Sequence, residues 1–254
     1  MMKLYNYKGG EIHNFASAYA GKKLSVLGDS ISTFAGYVPA GNAVWYTGSN
    51  DGVSSVDDIW WMKLISALEI KLLVNNSWSG SRVTTTNGQT ASGCYSRCEN
   101  LGTDPDVIIV YMGINDFNNG VALGAYDGTG KFPIVTTAFR EAYAIMLNKI
   151  LTKYPEAEVW VCTLPCCERT GENTFPETNG NGVTLDAWNG AIRELAALFG
   201  VKVLEFAKCG LTYQNMHLYM GDYDSGEGLH PNAAGHSRIA DMAIRQMDAG
   251  VRRI

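Results

Sequence analysis

Hydrophobic runs alternate with amphipathic segments along most of the chain. Apolar residues recurring at helical spacing predict helices over 60–68, 139–150, 185–199 and 233–247. Between these segments lie short runs rich in β-branched residues, which predict buried strands at Leu24–Leu27, Leu72–Val74, Val107–Met112, Val159–Leu164 and Val201–Phe206. Strands that alternate with helices of this length imply an α/β fold with right-handed crossovers. We therefore expect a three-layer α/β/α sandwich around a mostly parallel five-stranded sheet.

The connections between the predicted elements are uneven in length. Those that follow strands are long and rich in Gly, Asn, Ser and Thr, and they span 31–58, 77–105, 113–133, 165–184 and 207–231. Those that lead into strands are short. Because ligands of open parallel sheets bind outside the carboxyl ends of the strands, we expect the functional site at that edge.

Length and charge limit the remaining possibilities. The 254 residues suit one domain spanning 1–254, with residues 1–20 as an N-terminal extension packed on or beside it. A net charge of −5 without a Lys/Arg run argues against nucleic acid and anionic membranes as partners. No apolar run approaches the roughly 20 residues of a membrane helix, and no secretory signal is visible at the N-terminus, so a cytoplasmic location is expected. The sequence does not indicate an oligomeric state.

The six cysteines predict free thiols, because a chain of this size needs no disulfides to fold. Cys94, Cys98, Cys166 and Cys167 would be the ligands of any zinc site, but their spacing matches no common zinc ribbon. We expect neither a metal nor an organic cofactor.

Two predicted strands run directly into short polar motifs. The first ends in Gly28-Asp29-Ser30, which brings a serine hydroxyl to the carboxyl edge of the sheet, although the same tripeptide also makes ordinary turns. The third is followed by Gly113-Ile-Asn115-Asp116. The Asn115 amide is a good donor to an oxyanion, and the alternative is an Asx turn or helix cap.

A histidine stands at the predicted start of the last helix. His230 precedes Pro231, which holds its imidazole at a loop–helix junction, where it can act as a base toward a serine hydroxyl. His13, His217 and His236 lack such a context, and His236 lies inside the predicted helix.

Together these segments, in this order from Gly28 to Gly235, resemble the SGNH hydrolase family, also called GDSL lipases/acylhydrolases. The resemblance implies a flavodoxin-like fold, with Ser30 as nucleophile and His230 as its base. It also implies an oxyanion hole made by the backbone N–H groups of Ser30 and Gly80 and by the Asn115 amide. The candidate substrate-binding residues flank these positions and are Asp29, Trp78 and Asp116.

The chain departs from the family pattern three residues before the histidine. The family has aspartate there, and this chain has Glu227. Glutamate can orient a histidine in the same way, so we expect Glu227 to complete the triad. Asp224 or a backbone carbonyl are the alternatives. Ser77, where the family often has glycine, should matter little.

The resemblance and the loop composition favour a serine esterase acting on small acyl esters, with acetyl groups on carbohydrate as the leading candidates. Aromatic side chains among polar ones suit a sugar face or an acyl chain, or they simply pack the loops together. The loop aromatics are Trp45, Tyr46, Trp78, Tyr95, Tyr111, Phe117, Tyr126 and Phe175. The alternatives are another acylhydrolase, such as a thioesterase, lysophospholipase or arylesterase, and a carbohydrate-binding protein without activity.

Overall fold

A parallel sheet of five strands forms the centre of the part of the chain that the structure describes. The computed structural model describes residues 17–167 and 177–248. The strands are β1 (Lys23–Gly28), β2 (Lys71–Asn75), β3 (Val107–Tyr111), β4 (Glu158–Cys162) and β5 (Lys202–Leu204). They are ordered β2-β1-β3-β4-β5, and every neighbouring pair is parallel. The predicted α/β class and flavodoxin-like strand order are confirmed.

Helices cover both faces of this sheet. The helices are α1 (Trp60–Leu68), α2 (Ile114–Asn118), α3 (Phe139–Lys153), α4 (Leu185–Phe199), α5 (Met216–Tyr219) and α6 (Ala233–Asp248). Helix α1 packs against α6, and α3 packs against α4. Strand β2 lies on one side of β1 in the sheet, and β3, β4 and β5 follow one another on the other side. Right-handed crossovers therefore place the α1–α6 pair and the α3–α4 pair on opposite faces of the sheet.

The predicted strand positions hold, and the largest difference is at the sheet's edge. Strand β5 ends at Leu204, two residues short of the predicted end, because Glu205 leaves the extended conformation and Phe206 begins a 3-10 turn. The Phe206 ring is nonetheless buried, and it packs edge-on against Tyr111 at 5.0 Å. Its apolar character reflects burial in the core rather than strand pairing.

Helix α1 is anchored beneath the first strand end by two tryptophans. Trp60 and Trp61 are fully buried. The Trp60 indole N–H donates to Ser32 Oγ at 3.1 Å, and that of Trp61 donates to the Ser32 carbonyl at 2.9 Å. Buried indole groups normally find such a partner. These two bonds tie the turn that follows β1 to the core.

Parts of two predictions fall outside the described residues. Residues 1–16 of the N-terminal extension and Phe175 are among them. Within the described ranges, no helix is both long and apolar enough to cross a membrane.

Candidate active site

The carboxyl end of β1 leads directly into a 3-10 turn at Ser30–Ser32. Asp29 caps this turn, because its Oδ1 accepts from the Ile31 N–H at 3.1 Å. Gly28 is required at the entry, since a Cβ there would lie 2.6 Å from Ser77 Oγ and 2.7 Å from Ser32 Cβ. The sequence thus fixes the Ser30 hydroxyl at the sheet edge, as predicted.

Ser30 and His230 come together although they are 200 positions apart. The distance from Ser30 Oγ to His230 Nε2 is 2.9 Å, and both residues are only 3% exposed. This is hydrogen-bond distance for a nucleophile and its general base. The imidazole can therefore accept the hydroxyl proton as oxygen attacks an electrophile.

The other side of the imidazole faces Asp222. Its Oδ2 lies 2.7 Å from His230 Nδ1. Its Oδ1 accepts from the backbone N–H groups of Leu229 and His230, each at 2.9 Å. Met220 pairs with Pro231 in an antiparallel bridge, which brings the segment before Asp222 alongside the histidine. Ser30, His230 and Asp222 form a continuous hydrogen-bonded row.

This geometry corrects the expectation that Glu227 or Asp224 orients His230. Residues 222–227 form a tight turn in which the Glu227 N–H donates to the Asp222 carbonyl at 3.2 Å, and the turn presents Asp222 to the ring. Glu227 is half-buried with its carboxyl close to the pair, whereas Asp224 is exposed. No backbone carbonyl takes that role either, because the carboxylate occupies Nδ1.

The predicted oxyanion donors lie at neighbouring strand ends. Gly80 follows β2 with φ +75°, a left-handed conformation that favours glycine. Within the described part of the chain, the N–H groups of Ser30 and Gly80 donate to no acceptor. Asn115 lies in the first turn of α2 and does not cap it. Its amide donates to the Ser81 carbonyl at 3.0 Å, which fixes the side chain and leaves its second N–H for another acceptor.

The sequence also matches the model of a known protein family. Residues 22–170, more than half of the chain, match the GDSL-like lipase/acylhydrolase model. The chain belongs to this family. No protein with curated annotation is significantly similar to it.

Solved structures agree with this membership. A protein from Bacteroides ovatus described as a GDSL-like lipase is 27% identical, with a TM-score of 0.69 over 90% of this chain and 98% of its own. Another from Bacteroides uniformis is 28% identical, with a TM-score of 0.64 over 89% of this chain and 95% of its own. A carbohydrate acetylesterase from Sinorhizobium meliloti shares the fold at 16% identity, with a TM-score of 0.62 over 91% and 99%.

Two of the candidate substrate-binding residues of this GDSL-like chain are inaccessible. Asp29 and Asp116 are fully buried. Asp116 accepts from Val83 N, Thr84 N and Thr84 Oγ1 at 2.7 to 3.0 Å, so it organises the segment after Gly80 instead of contacting substrate. Burial raises the pKa of Asp116 to about 6 and that of Asp29 to about 7. Trp78 is half-buried, and its role remains a prediction.

Trp45 has a role that the sequence analysis did not assign. Its ring stacks on the His230 imidazole, with centroids 3.7 Å apart and planes 12° apart. The indole N–H donates to Asp51 Oδ2, and the backbone N–H donates to Thr33 Oγ1 at 2.8 Å. The stack therefore holds the imidazole ring between the indole face and its two hydrogen-bond partners, Ser30 and Asp222. The sequence signal was only an aromatic residue in a polar loop.

The other loop aromatics divide into buried and accessible rings. Tyr46, Tyr111 and Phe117 are buried, which supports the alternative that they pack the structure together. Tyr95 is exposed and Tyr126 is half-buried.

The cysteines are free thiols wherever the structure describes them, and all six lie in the described ranges. Burial raises the pKa of the Cys94 and Cys98 thiols to about 12, so they are neutral and poor metal ligands. Among the described residues, the one group with metal-ligand spacing is Asp222, Glu227 and His230. Both nitrogens of that histidine already face Asp222 and Ser30, which does not fit a metal ligand.

Proposed function

We propose that this protein is a serine esterase that hydrolyses small acyl esters, with acetyl groups on carbohydrate as the leading substrate class. The observation that carries the proposal is the buried row from Ser30 through His230 to Asp222, with hydrogen-bond distances of 2.9 and 2.7 Å. A serine with this activation attacks acyl carbonyl groups. Membership of an acylhydrolase family supports the same reaction type.

The reaction follows from the roles of these groups. His230 takes the Ser30 proton as Oγ bonds to the ester carbonyl carbon, and Asp222 stabilises the imidazolium that forms. The carbonyl oxygen becomes an oxyanion that accepts from the Ser30 and Gly80 N–H groups and from the free Asn115 N–H. One such donor contributes about 3 to 4 kcal/mol to the transition state.

Collapse of this intermediate breaks the ester C–O bond. The leaving alkoxide takes the proton held by His230, and the acyl group stays on Ser30. Water then attacks the acyl-enzyme while His230 accepts its proton. A second collapse releases the carboxylic acid and returns the proton to Ser30.

The proposed substrate class rests on two supports. The loops at the strand ends are rich in Gly, Asn, Ser and Thr, with half-buried tryptophans at positions 45 and 78, and this composition suits a polar leaving group such as a sugar. Structures with this fold include an acetyl-xylooligosaccharide esterase from Geobacillus, which is 17% identical with a TM-score of 0.57 over 90% of this chain and 94% of its own.

A second candidate, a lysophospholipase-type hydrolase of longer acyl chains, is favoured by one exposed segment. Phe132, Ile134 and Val135 are exposed, and Ile134 is 91% exposed. The adjacent Thr136 accepts through its carbonyl from the Thr85 N–H at 2.8 Å, which ties this apolar segment to the chain that follows Gly80. We take this exposed apolar segment as the candidate contact for a long acyl chain.

A panel of substrates tests the proposal. We expect wild-type protein to hydrolyse p-nitrophenyl acetate and acetylated oligosaccharides, and Ser30→Ala to lose this activity while melting at a similar temperature. Acetyl and propionyl esters should exceed octanoyl esters in kcat/KM. A kcat/KM that rises steadily with chain length would establish the second candidate, and thioesters cleaved faster than oxygen esters would identify a thioesterase. Sugar binding without turnover would refute the esterase.

A further inference from the structure

A buried arginine lies beneath the strand ends that carry the active site. The Arg97 side chain is 4% exposed, in a 3-10 turn between β2 and β3. Its Nη2 donates to the carbonyl of Gly28 at 2.6 Å and to that of Asn76. Its Nη1 donates to Ser81 Oγ at 2.9 Å and to the Ala91 carbonyl at 2.7 Å.

These acceptors belong to the segments that hold the proposed oxyanion donors. Gly28 lies two residues before Ser30, and its carbonyl also accepts from the Trp78 N–H at 3.2 Å. Asn76 and Ser81 flank Gly80 on the chain that leaves β2. One guanidinium therefore joins the turn of the nucleophile to the loop that carries the second backbone donor.

The third donor is linked to the same arginine through one residue. Ser81 receives the Arg97 N–H on its hydroxyl, and its carbonyl accepts from the Asn115 amide at 3.0 Å. The orientation of the Asn115 side chain thus depends on where Ser81 is held. A planar guanidinium suits such a junction, because its donors have fixed directions.

The charge of Arg97 is largely uncompensated. Its hydrogen-bond acceptors are carbonyls and a hydroxyl, and no carboxylate of the described residues forms an ion pair with it. Burial lowers its pKa to about 10, so it stays charged at neutral pH. Asp29 is the acidic group whose charge interacts with that of Arg97. Burial raises the Asp29 pKa to about 7, so this carboxyl is partly protonated at neutral pH.

We infer that Arg97 is a positioning residue for the oxyanion hole, holding the segments of Ser30, Gly80 and Asn115 in register and supplying a fixed positive charge close to where the oxyanion forms. Fixed charges and dipoles that are oriented before the reaction stabilise a transition state most effectively. This inference rests on the proposed esterase function.

The test compares Arg97→Met and Arg97→Lys with Arg193→Met, a control that removes an arginine paired with Glu205 at 2.9 Å. Each variant is assayed with p-nitrophenyl acetate, and its active sites are counted by fluorophosphonate labelling. We expect Arg97→Met to lower kcat about 10- to 100-fold with KM changed less than about 2-fold. Arg97→Lys should recover part of the loss, because it restores the charge without the planar fork, and Arg193→Met should keep wild-type kcat.

A pair of inhibitors separates positioning from general destabilisation. A trifluoromethyl ketone forms an anionic hemiketal with a serine, whereas the matching methyl ketone binds mainly as the neutral ketone. We expect the Ki of the trifluoromethyl ketone to weaken in parallel with kcat, and that of the methyl ketone to stay nearly constant. If Arg97→Met does not fold, Arg97→Lys carries the test: Asn115→Ala should then cost less in the Arg97→Lys background than in wild type.

Two outcomes would overturn the inference alone. One is an active wild-type enzyme whose Arg97 variants keep kcat within about 2-fold. The other is a loss of kcat that follows the melting temperature while the ratio of the two inhibition constants stays unchanged. A wild-type protein without esterase activity would instead refute the proposed function, and the inference with it.

Discussion

The Asp222 carboxylate lies 2.7 Å from His230 Nδ1 and holds the backbone of the same histidine through its N–H at 2.9 Å. One buried side chain therefore orients both the ring and the loop that carries it. The two oxygens share this work: Oδ1 accepts from the Leu229 and His230 N–H groups at 2.9 Å each, and Oδ2 faces the ring nitrogen and also accepts from the His230 N–H at 3.1 Å.

These contacts predict the effect of Asp222→Asn. The amide oxygen can keep the bonds to the Leu229 and His230 N–H groups, so the fold should be preserved. The amide nitrogen would then face Nδ1 as a donor and favour the tautomer with its proton on Nε2, which cannot accept the Ser30 proton. We expect kcat for p-nitrophenyl acetate to fall roughly 10³- to 10⁴-fold, as for the corresponding change in other serine hydrolases.

Glu227→Gln and Asp224→Asn are the matched controls. Neither residue donates to or accepts from the imidazole, so both variants should keep kcat within about 3-fold of wild type. A large loss of kcat in Glu227→Gln together with an active Asp222→Asn would show that Glu227, as the family spacing suggests, is the acidic partner of His230.

The stacking of Trp45 on His230 predicts a contribution to kcat that is smaller than the contribution of Asp222. The imidazole becomes a cation during the reaction, and an indole face at 3.7 Å stabilises it by about 0.5 to 2 kcal/mol. We expect Trp45→Leu to lower kcat about 2- to 30-fold, and Trp45→Phe to lower it less because it keeps a ring face. Steady-state kinetics measure both. Equal kcat values in Trp45→Leu and wild type would show that the stacking only packs the loop.

Sequence patterns predicted the fold because they report burial directly. Strands covered on both faces, such as Val107–Tyr111, must be apolar throughout, and amphipathic helices must repeat near every 3.6 residues. Ser30, Asn115 and His230 were identifiable for a related reason. Each lies at the junction of a strand or helix with a loop, and the order of the three motifs resembles one family, which implied the roles that no single motif established.

The residues that sequence analysis missed depend on contacts between distant parts of the chain. Asp222 reaches His230 from eight positions away, because residues 222–227 fold into a turn and the preceding segment pairs with Pro231. Trp45 and Arg97 contact the site from long loops with no periodic pattern. Asp29 and Asp116 were misassigned, because sequence cannot distinguish a polar residue at a strand end that faces substrate from one buried to hold a turn.

The raised pKa of Asp29 predicts how stability depends on pH. Burial raises this pKa from 3.8 to about 7, so the folded state holds the proton more tightly than the unfolded state. The free energy of unfolding should therefore fall as pH rises from 3.8 to about 7, by at most about 4 kcal/mol. Asp29→Asn keeps an oxygen acceptor for the Ile31 N–H and cannot ionise, so it should lose this slope.

Urea unfolding of wild type and Asp29→Asn at about pH 5 and about pH 8 measures the effect. The variant should gain stability relative to wild type at the higher pH. An identical change with pH in the two proteins would show that Asp29 does not titrate in this range.

The lowered pKa of His236 predicts that stability depends on pH in the opposite direction. It is fully buried inside α6, and neither ring nitrogen has a hydrogen-bond partner among the described residues. Burial lowers its pKa from 6.5 to about 3. The stability that its neutral form provides is present above pH 6.5 and is lost as the pH falls toward 3.

His236→Leu should reduce this acid-induced loss, measured by urea unfolding between about pH 6 and about pH 4. His217→Leu is the control, because His217 is exposed and should leave the pH profile unchanged. An equal loss of stability in acid for His236→Leu and wild type would show that His236 does not cause this loss.

The proposed mechanism requires that Ser30 carries the acyl group during turnover. Rapid acid quenching of the enzyme during hydrolysis of p-nitrophenyl acetate, followed by peptide mass spectrometry, measures this directly. We expect one acetyl group on the peptide that contains Ser30, an increased yield in Asp222→Asn if deacylation slows more than acylation, and none in Ser30→Ala. Wild-type turnover with the acetyl group on another residue, or with the Ser30 peptide unmodified while Ser30→Ala remains active, would contradict this mechanism.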